Sequence, residues 1–584
     1  MNVAILGAGI GGLSAAHHLV RAGVEDVHVF EATGEIGGKA KSQAVDGGYD
    51  GEHGFRFFPH FYRHVVDTMK QIPSGNGWVW DRLQESTKGG IAYDGRLFEV
   101  DRPIRLDEPG KMTRSIMTLL GAKGLHDPSD LSRFAYVMLK FASSCDQRRR
   151  EEYDAITWEK FTGGSDAFNP AFYAIVIQAT RNLAAMRAPS SSAATIASMC
   201  LQMVFDLDEA NSGKVDAVLD APTSKAWLEP WYDDLRKRGV QFHFNDPLVG
   251  FDFEAPVLRS VLLQSGMQRA RHYVCAVPLD CIVPLLTKDM TDFDPALAAL
   301  TELAPKARGD MIGAQFYLQD DVKITHGHIH FPKAPFGLTA VSQRQFWTAT
   351  PPAYGVISAI ISDWERQNPA GIRARDYADE DRLLDEIWNQ LRDSLPEGLL
   401  SDANLRRKHL DRNVTLSPFK NLTPLLTHPN GQRKLRPEAK NRIGNLYLAA
   451  DYVRTYVDLA TMEGADEAAR RAVGAILQDG GYPGVAPFVQ PLSEGPYFWW
   501  AKKIDSACWK LGLPHPMEWA QDQFSDVLST VKKAALVVGG WHDDALAILP
   551  YLKKLATRPS LELPSFADLE EWERALFHDV GPLT

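Results

Sequence analysis

Glycine residues near the N-terminus have the spacing of a turn that binds phosphate groups. Gly7, Gly9 and Gly12 form a GxGxxG pattern between an apolar stretch, 2–6, and a helical stretch of small and apolar residues, 13–21. In such a turn the first glycine allows the tight bend, the second lets the backbone approach a pyrophosphate, and the third allows the helix to pack closely on the strand. The helix N-terminus places unpaired N–H groups beside the phosphates. This segment therefore predicts a dinucleotide-binding turn.

An acidic residue follows where such a site needs a partner for the ribose. A second predicted strand, Val27 to Phe30, ends in Glu31, nineteen residues after Gly12. A carboxylate at this place accepts hydrogen bonds from the ribose hydroxyls and disfavours a 2′-phosphate. These residues leave both NAD and FAD open as the dinucleotide.

A second glycine pair favours the more extended cofactor. Gly37 and Gly38 precede Lys39, with Lys41 two residues further along, and this loop comes soon after Glu31. The lysine ammonium groups can meet phosphate charge. A second loop pressed against the dinucleotide is rarely needed by nicotinamide enzymes, so the pattern favours FAD.

Near the C-terminus a strand, an acid, a loop and a helix follow one another in the same way. Residues 443–450 read as a buried strand that ends in Asp451, and a helix begins after a short loop and runs to about residue 477. Asp451 can accept hydrogen bonds from ribityl hydroxyls, and backbone N–H groups at 463–465 can bond the edge of a flavin ring. The residues that open this helix are Met462, Glu463 and Gly464.

Three stretches in combination resemble a known family of flavoenzymes, the FAD-dependent amine oxidase superfamily. They are GAGIGGLSAAHHL at 7–19, EATGEIGGKA at 31–40 and LAADYVRTYVDLATMEGADEAARRA at 448–472. Within the superfamily, the chain is more similar to the plant and cyanobacterial-type carotenoid (phytoene) desaturases. That similarity rests on EHGFRFFPHFY at 52–62, KLRP at 434–437 and MEGA at 462–465.

The resemblance implies that FAD removes hydride from a carbon of a largely apolar, isoprenoid or lipid-like substrate, as in a desaturase or dehydrogenase. Two departures bear on the identity of the substrate. Lys39 stands where the wider superfamily usually has Arg, and the loop from Asp451 to Met462 is about one residue longer than in the desaturase pattern.

Other activities remain open at this point. A flavin amine oxidase would take hydride from a carbon next to a neutral amine and pass electrons to dioxygen. Its site would need an acid or an aromatic cage for the amine, or an Arg clamp for a carboxylate, whereas a polyene or lipid site needs a long apolar tunnel. A redox-neutral flavin-dependent isomerase, or a scaffold that keeps FAD structurally, would give no net oxidation.

Three polar residues are candidates for a catalytic role. His53 and Arg56 stand among phenylalanines, in the segment that the resemblance places against the isoalloxazine. A guanidinium in such surroundings needs a partner to offset its desolvation. An ion pair for Arg56 and simple packing for His53 are equally open, and Tyr456 is a candidate by its place after Asp451.

The strand, glycine turn and helix at the N-terminus predict an α/β fold. The resemblance implies a discontinuous, Rossmann-type FAD-binding domain and an α+β substrate domain of mixed sheet and helices. The FAD-binding domain is predicted to comprise 1–85, 238–290 and 416–479. The substrate domain is predicted to comprise 86–237, mostly helical, and 291–415. Residues 480–584 are predicted to be a helical C-terminal extension, with helices from Tyr497 and from Met517 that either dock on the core or contact lipid or a partner.

Composition and charge argue against several classes of protein. The 584 residues carry 63 Lys and Arg against 74 Asp and Glu, a net charge of −11, which disfavours nucleic-acid binding. Five scattered cysteines favour a reducing, cytoplasmic location. No apolar run reaches the roughly 18 to 20 residues of a spanning helix, so any membrane contact is expected to be peripheral. His326, His328 and His330 alternate without a nearby acid, and no metal site is predicted.

Overall fold

The computed structural model describes residues 2–101, 128–205, 216–349, 351–492 and 498–518. The chain divides into two compact units. The first unit is Met1–Ala142 together with Gln147–Phe498, and the second is Ser143–Asp146 together with Trp499–Thr584.

A five-stranded parallel sheet carries the nucleotide-binding motifs in the first unit. The three central strands are apolar and buried, as expected where both faces of a parallel sheet are covered. Every neighbouring pair of strands is parallel. In spatial order the strands are Gln241–His243, Val27–Phe30, Val3–Leu6, His272–Cys275 and Leu446–Leu448.

Two helices bring the N-terminal and C-terminal motifs together on this sheet. Ile10–Arg21 follows the glycine turn, and it contacts Met462–Gly480. The approach to the last strand is close, because a Cβ atom on Gly11 would lie only 1.9 Å from the carbonyl oxygen of Ala449. Segments more than 400 residues apart in the chain therefore meet at one edge of the sheet.

A second sheet, with seven strands, is mixed. All pairs are antiparallel except His328–His330 against Lys88–Tyr93, which is parallel. Trp388, on the helix Glu380–Ser394, packs against Phe316 of this sheet with ring centroids 5.3 Å apart. In spatial order the strands are Arg96–Asp101, Lys88–Tyr93, His328–His330, Leu338–Ser342, Gly355–Ile361, Ile312–Leu318 and Leu405–Leu410.

The start of the predicted helical region is a hairpin instead. Lys88–Tyr93 and Arg96–Asp101 pair as antiparallel strands, joined by Asp94 and Gly95 with φ of 51° and 68°. Asp-Gly is a typical two-residue hairpin turn, because both positions need positive φ. The turn signal was present in the sequence, and the prediction of helix from residue 86 was wrong for these strands. The longer helices elsewhere in this unit are Pro128–Ala142, Ala193–Phe205, Glu229–Lys237 and Pro295–Leu303.

The second unit contains the helix Trp499–Lys510. Cys508 is fully buried, and the buried Asp505 carboxylate accepts a hydrogen bond of 2.8 Å from the backbone amide of Cys145. Leu511, which follows this helix, is 42% exposed. The second predicted helix, from Met517, lies almost wholly outside the described residues, so its role stays a prediction. Across the part of the chain that the structure describes, no helix combines the length and apolarity needed to span a bilayer.

Candidate active site at the edge of the parallel sheet

A cavity of about 660 Å³ opens at the carboxyl ends of the parallel strands. Four of its lining residues, Gly7, Glu31, Ala276 and Ala449, each come directly after a strand. Open α/β sheets bind ligands at this edge, because the connections that leave the strands form a crevice there. The cavity is therefore the candidate site for a dinucleotide and its substrate.

The glycine turn has the geometry that the sequence predicts. Gly7 has a positive φ of 101°, and a Cβ on Gly12 would lie 1.9 Å from the carbonyl oxygen of Gly7. The helix N-cap is Gly9, and it offers no side chain to the first N–H groups of the helix. Those amides are left for an anionic ligand. Gly7 and Gly9 line the cavity, whereas Gly12 closes the turn behind it.

The second glycine loop lies directly on the first. Gly37 donates a backbone hydrogen bond of 2.8 Å to the carbonyl of Ala8, and a Cβ on Gly38 would lie 3.2 Å from the Cα of Gly9. Lys39 lines the cavity, and its ammonium donates to the carbonyl of Pro424. The two loops together form one glycine-lined cradle for an extended ligand.

Glu31 is buried at the mouth of this cradle and already accepts three hydrogen bonds. Its Oε2 accepts from the backbone N of Ala8 at 2.8 Å, and its Oε1 accepts from the N and Oγ1 of Thr33, both at 2.9 Å. A carboxylate has about four acceptor positions. One oxygen therefore keeps capacity for a ribose hydroxyl.

At the C-terminal motif, Asp451 and Met462 line the cavity, but Glu463 and Gly464 do not. The Gly464 amide donates to Thr461 Oγ1 at 3.3 Å, which caps the helix Met462–Gly480.

The Glu463 carboxylate binds backbone amides at the start of a neighbouring helix. It is buried and accepts the backbone amides of Arg63, His64 and Val65, each at 2.9 Å, and also the imidazole Nδ1 of His64 at 2.7 Å. These donors belong to the first turn of the helix His64–Met69. The sequence predicts that backbone N–H groups at 463–465 bond the flavin edge, and that remains a prediction. The Glu463 side chain holds the neighbouring helix His64–Met69.

The aromatic segment after Glu52 forms a wall of the cavity. Phe55, Phe57 and Phe61 line it together with Arg56. The Arg56 guanidinium donates from Nη2 to the carbonyl of Lys39 and from Nε to that of Ala40. Burial lowers the pKa of Arg56, and the carboxylates of Glu52 and Asp411 oppose that shift.

Arg56 has no carboxylate oxygen within 4.0 Å among the residues that the structure describes. Its hydrogen bonds to the carbonyls of Lys39 and Ala40 join the aromatic wall to the second glycine loop. The ion pair left open by the sequence is not formed.

His53 lines the same wall and makes a contact that the sequence did not predict. Its Nδ1 is within hydrogen-bond distance of Oδ2 of Asp411, and both side chains are buried. Asp411 follows the strand Leu405–Leu410 of the mixed sheet, 358 residues away in the chain. No motif or local pattern signals this pair, because it exists only where that strand end meets the aromatic segment.

Tyr456 lies outside the cavity lining. The side chain is 44% exposed, and the Arg471 guanidinium stacks on its ring at 4.4 Å. Two of the alternating histidines have different surroundings. The His328 ring lies 5.3 Å from that of Phe55, and burial lowers the pKa of His330 to about 3. Within the described ranges, no cluster of three or more potential metal ligands is found.

Comparison with known proteins agrees with this geometry. Residues 10–477 match the family described as flavin containing amine oxidoreductase. The 15-cis-phytoene desaturase of Synechococcus elongatus is 24% identical over 493 residues, covering 82% of this chain and 96% of that protein. The chloroplastic/chromoplastic 15-cis-phytoene desaturase of Solanum lycopersicum is 22% identical over 494 residues, covering 82% and 78%.

A solved structure shows the same fold. Cyclohexylamine oxidase from Brevibacterium oxydans superposes with a TM-score of 0.55 at 14% identity, covering 82% of this chain and 99% of its own. The predicted fold class and the prediction of FAD are thereby confirmed. The chain belongs to the flavin containing amine oxidoreductase family and is an FAD-dependent oxidoreductase with similarity to carotenoid desaturases.

Proposed function

We propose that this enzyme removes hydride from a carbon of a largely apolar, isoprenoid or lipid-like substrate and so introduces a double bond. The observation that carries the proposal is the apolar part of the cavity wall. Phe55 and Ile360 belong to one packed apolar cluster, with Phe57 and Met311 against it, and all four line the cavity.

An apolar substrate can bind there without a charged clamp. Burial of an alkyl or polyene chain stabilises the complex by about 0.8 kcal/mol per methylene. Arg56, a cation in this wall, donates to backbone carbonyls of the cofactor loop. These features support a lipid-like ligand over a carboxylate-bearing amine, which would need a cation directed at it.

The cofactor roles of individual residues are part of the proposal. The amides that follow Gly9 bind the pyrophosphate, and the remaining acceptor position of Glu31 binds the adenosine ribose. Asp451 accepts from the ribityl chain, and the helix N-terminus at Met462 faces the flavin ring. Lys39 lies near enough to the cradle to offset phosphate charge. The bound flavin supplies two-electron oxidation as a hydride acceptor.

Anaerobic flavin reduction tests the proposed reaction. Holoprotein is mixed with 15-cis-phytoene in phosphatidylcholine liposomes or with cyclohexylamine, and flavin absorbance and products are followed. Bleaching by phytoene, with a product two hydrogens lighter, supports the proposal. Bleaching by cyclohexylamine alone would promote an amine oxidase, and conversion of a polyene to an isomer without lasting bleaching would promote a redox-neutral isomerase.

Two neighbouring isoleucines provide a matched pair for the substrate wall. Ile360 lines the cavity, whereas Ile361 packs in the core on the opposite face of the same strand. Either change to alanine should destabilise the fold by about 2 to 5 kcal/mol. Only Ile360→Ala should change the KM for an apolar substrate or the length of chain accepted. Equal effects of both variants on KM would count against the assigned wall.

Peripheral membrane contact through 480–584 would suit a substrate that resides in lipid. Within the described part of that segment, Trp499 is 48% exposed and Leu511 is 42% exposed. Flotation of the full chain with phosphatidylcholine vesicles tests this contact. Binding should weaken in Trp499→Ala, and absence of the wild-type protein from the vesicle fraction would remove the contact.

A further inference from the structure

His53 and Asp411 form a buried pair at the cavity wall. His53 is 7% exposed and Asp411 is 1% exposed. The imidazole Nδ1 meets Asp411, but Nε2 is buried and has no hydrogen-bond partner among the described residues. A polar nitrogen without a partner in a buried site is costly. Its place in the lining of a ligand cavity suggests that the bound ligand completes it.

Asp411 is held so that it can act only as an acceptor. Its Oδ1 accepts from Gln43 Nε2 at 2.9 Å, from the Asn413 amide at 2.7 Å and from Asn413 Nδ2 at 2.8 Å, which leaves Oδ2 for His53. Burial disfavours the charge on this carboxylate, but the hydrogen bond and charge interaction with His53, together with the hydrogen bonds from Asn413 and Gln43, hold the pKa of Asp411 below its ordinary value. An ionised Asp411 places the imidazole proton on Nδ1.

The backbone around the pair is fixed by a close approach. The Asp411 amide donates to the carbonyl of Gly313 at 3.0 Å. A Cβ on Gly313 would lie only 2.5 Å from the carbonyl oxygen of His53. The mixed sheet therefore contacts the aromatic segment through Gly313. This contact places the Asp411 carboxylate, at a strand end of the sheet, beside the His53 imidazole of the aromatic segment.

We propose that Asp411 is a positioning residue that fixes His53 in the tautomer with its proton on Nδ1, so that Nε2 is the proton acceptor of the active site. This inference rests on the proposed function. Flavin, when bound, would supply the hydride acceptor for the hydrogen and electron pair of one substrate C–H bond. The adjacent carbon gives a proton to Nε2, and the electron pair of that C–H bond becomes the second bond of the alkene. His53 then releases the proton to solvent.

Nuclear magnetic resonance of the ring nitrogens tests the tautomer without any substrate. Holoprotein is labelled with ¹⁵N-histidine and measured above the ordinary pKa of histidine, with His53→Gln to assign the signals. Wild-type His53 should show a protonated Nδ1 and an unprotonated Nε2. In Asp411→Asn the proton should move to Nε2, because the amide can donate to Nδ1. An unchanged tautomer in this variant would overturn the proposal.

A second His–Asp pair supplies the control. On the surface, His28 Nε2 lies 2.9 Å from Asp26 Oδ1, and neither residue lines the cavity. Asp26→Asn should alter the His28 signals and leave those of His53 as in wild type. If Asp26→Asn also changed the His53 signals, the spectra would be reporting a general change in the fold, and the tautomer assignment would be refuted.

Flavin reduction separates a catalytic arrangement from a structural one. The probes are 15-cis-phytoene in phosphatidylcholine liposomes and cyclohexylamine. Asp411→Asn should retain FAD and slow flavin reduction by about 10²- to 10⁴-fold, with little change in KM. If Asp411→Asn shifted the tautomer of His53 but reduced its flavin at the wild-type rate, His53 would not be the proton acceptor. If neither probe bleaches the wild-type flavin, the proposed function fails while the spectra still decide the role of Asp411.

Discussion

The Glu31 carboxylate binds the glycine turn itself, since its Oε2 accepts the backbone amide of Ala8 at 2.8 Å. The end of the second strand is thereby joined to the turn that follows the first. A residue expected to bind only the ribose thus also holds the shape of the pyrophosphate site, and its variants should report both effects.

Glu31→Ala should weaken FAD binding by about 1.5 to 3 kcal/mol, the scale of a hydrogen bond to a charged group. Flavin fluorescence during titration of the apoprotein measures the affinity. Glu25→Ala is the control, because Glu25 is exposed and does not line the cavity. An affinity equal to wild type in Glu31→Ala would remove the ribose assignment.

Arg56→Ala should remove the hydrogen bonds that connect the aromatic wall to the second glycine loop. Each hydrogen bond from this guanidinium to Lys39 and Ala40 contributes about 1.5 to 3 kcal/mol when a charged donor is involved. A lower Tm and weaker FAD retention are expected, with partial recovery in Arg56→Lys. If stability is kept while flavin reduction or reoxidation slows by about tenfold to a thousandfold, Arg56 acts on the reacting groups instead.

Gly313→Ala should push the His53 segment away from the mixed sheet, because the new Cβ would meet the carbonyl oxygen of His53 at 2.5 Å. Overpacking of this kind costs about 1 to 3 kcal/mol. Urea denaturation measures the loss. Gly89→Ala is the matched change, since a Cβ there meets nothing within 4 Å and it also lies in a strand of this sheet. Equal stability of the two variants would contradict the close approach.

Stability should fall as the pH drops below the ordinary pKa of histidine, about 6.5. Burial lowers the pKa of His17 and His18, and lowers that of His330 and His428 to about 3. The unfolded chain therefore binds more protons than the folded one between about pH 6.5 and 3. Of these, His330 and His428 each cost about 1.4 kcal/mol of unfolding free energy per pH unit across that window.

His64 opposes this loss of stability at low pH. Burial alone would lower its pKa, but the Glu463 carboxylate outweighs this and raises it. Urea midpoints measured from pH 7.5 to about 5 test the net effect. The unfolding free energy of His330→Gln should fall less steeply with decreasing pH than that of wild type, because one histidine that gains a proton on unfolding is absent. A stability that rises on acidification through this range would refute the prediction.

The sequence by itself determined the glycine turn, the acid at the end of the second strand and the helix that opens at Met462. Each depends on consecutive residues, because strand, turn and helix geometry follow from local backbone sterics. The Asp94–Gly95 hairpin was equally local, and it was missed because the pattern of residues 86–237 was interpreted as mostly helical without weighing these turn residues.

Only the tertiary structure decided what the polar side chains do. The sequence makes Arg56 a catalytic candidate and Glu463 a cofactor-binding one, and only the structure shows that their side chains bind the second glycine loop and the His64 helix. No sequence pattern indicated a role for Asp411, because its contact with His53 joins residues 358 positions apart in the chain. Local sterics fix a turn, but the partner of a buried charge depends on which distant segments the core packs together.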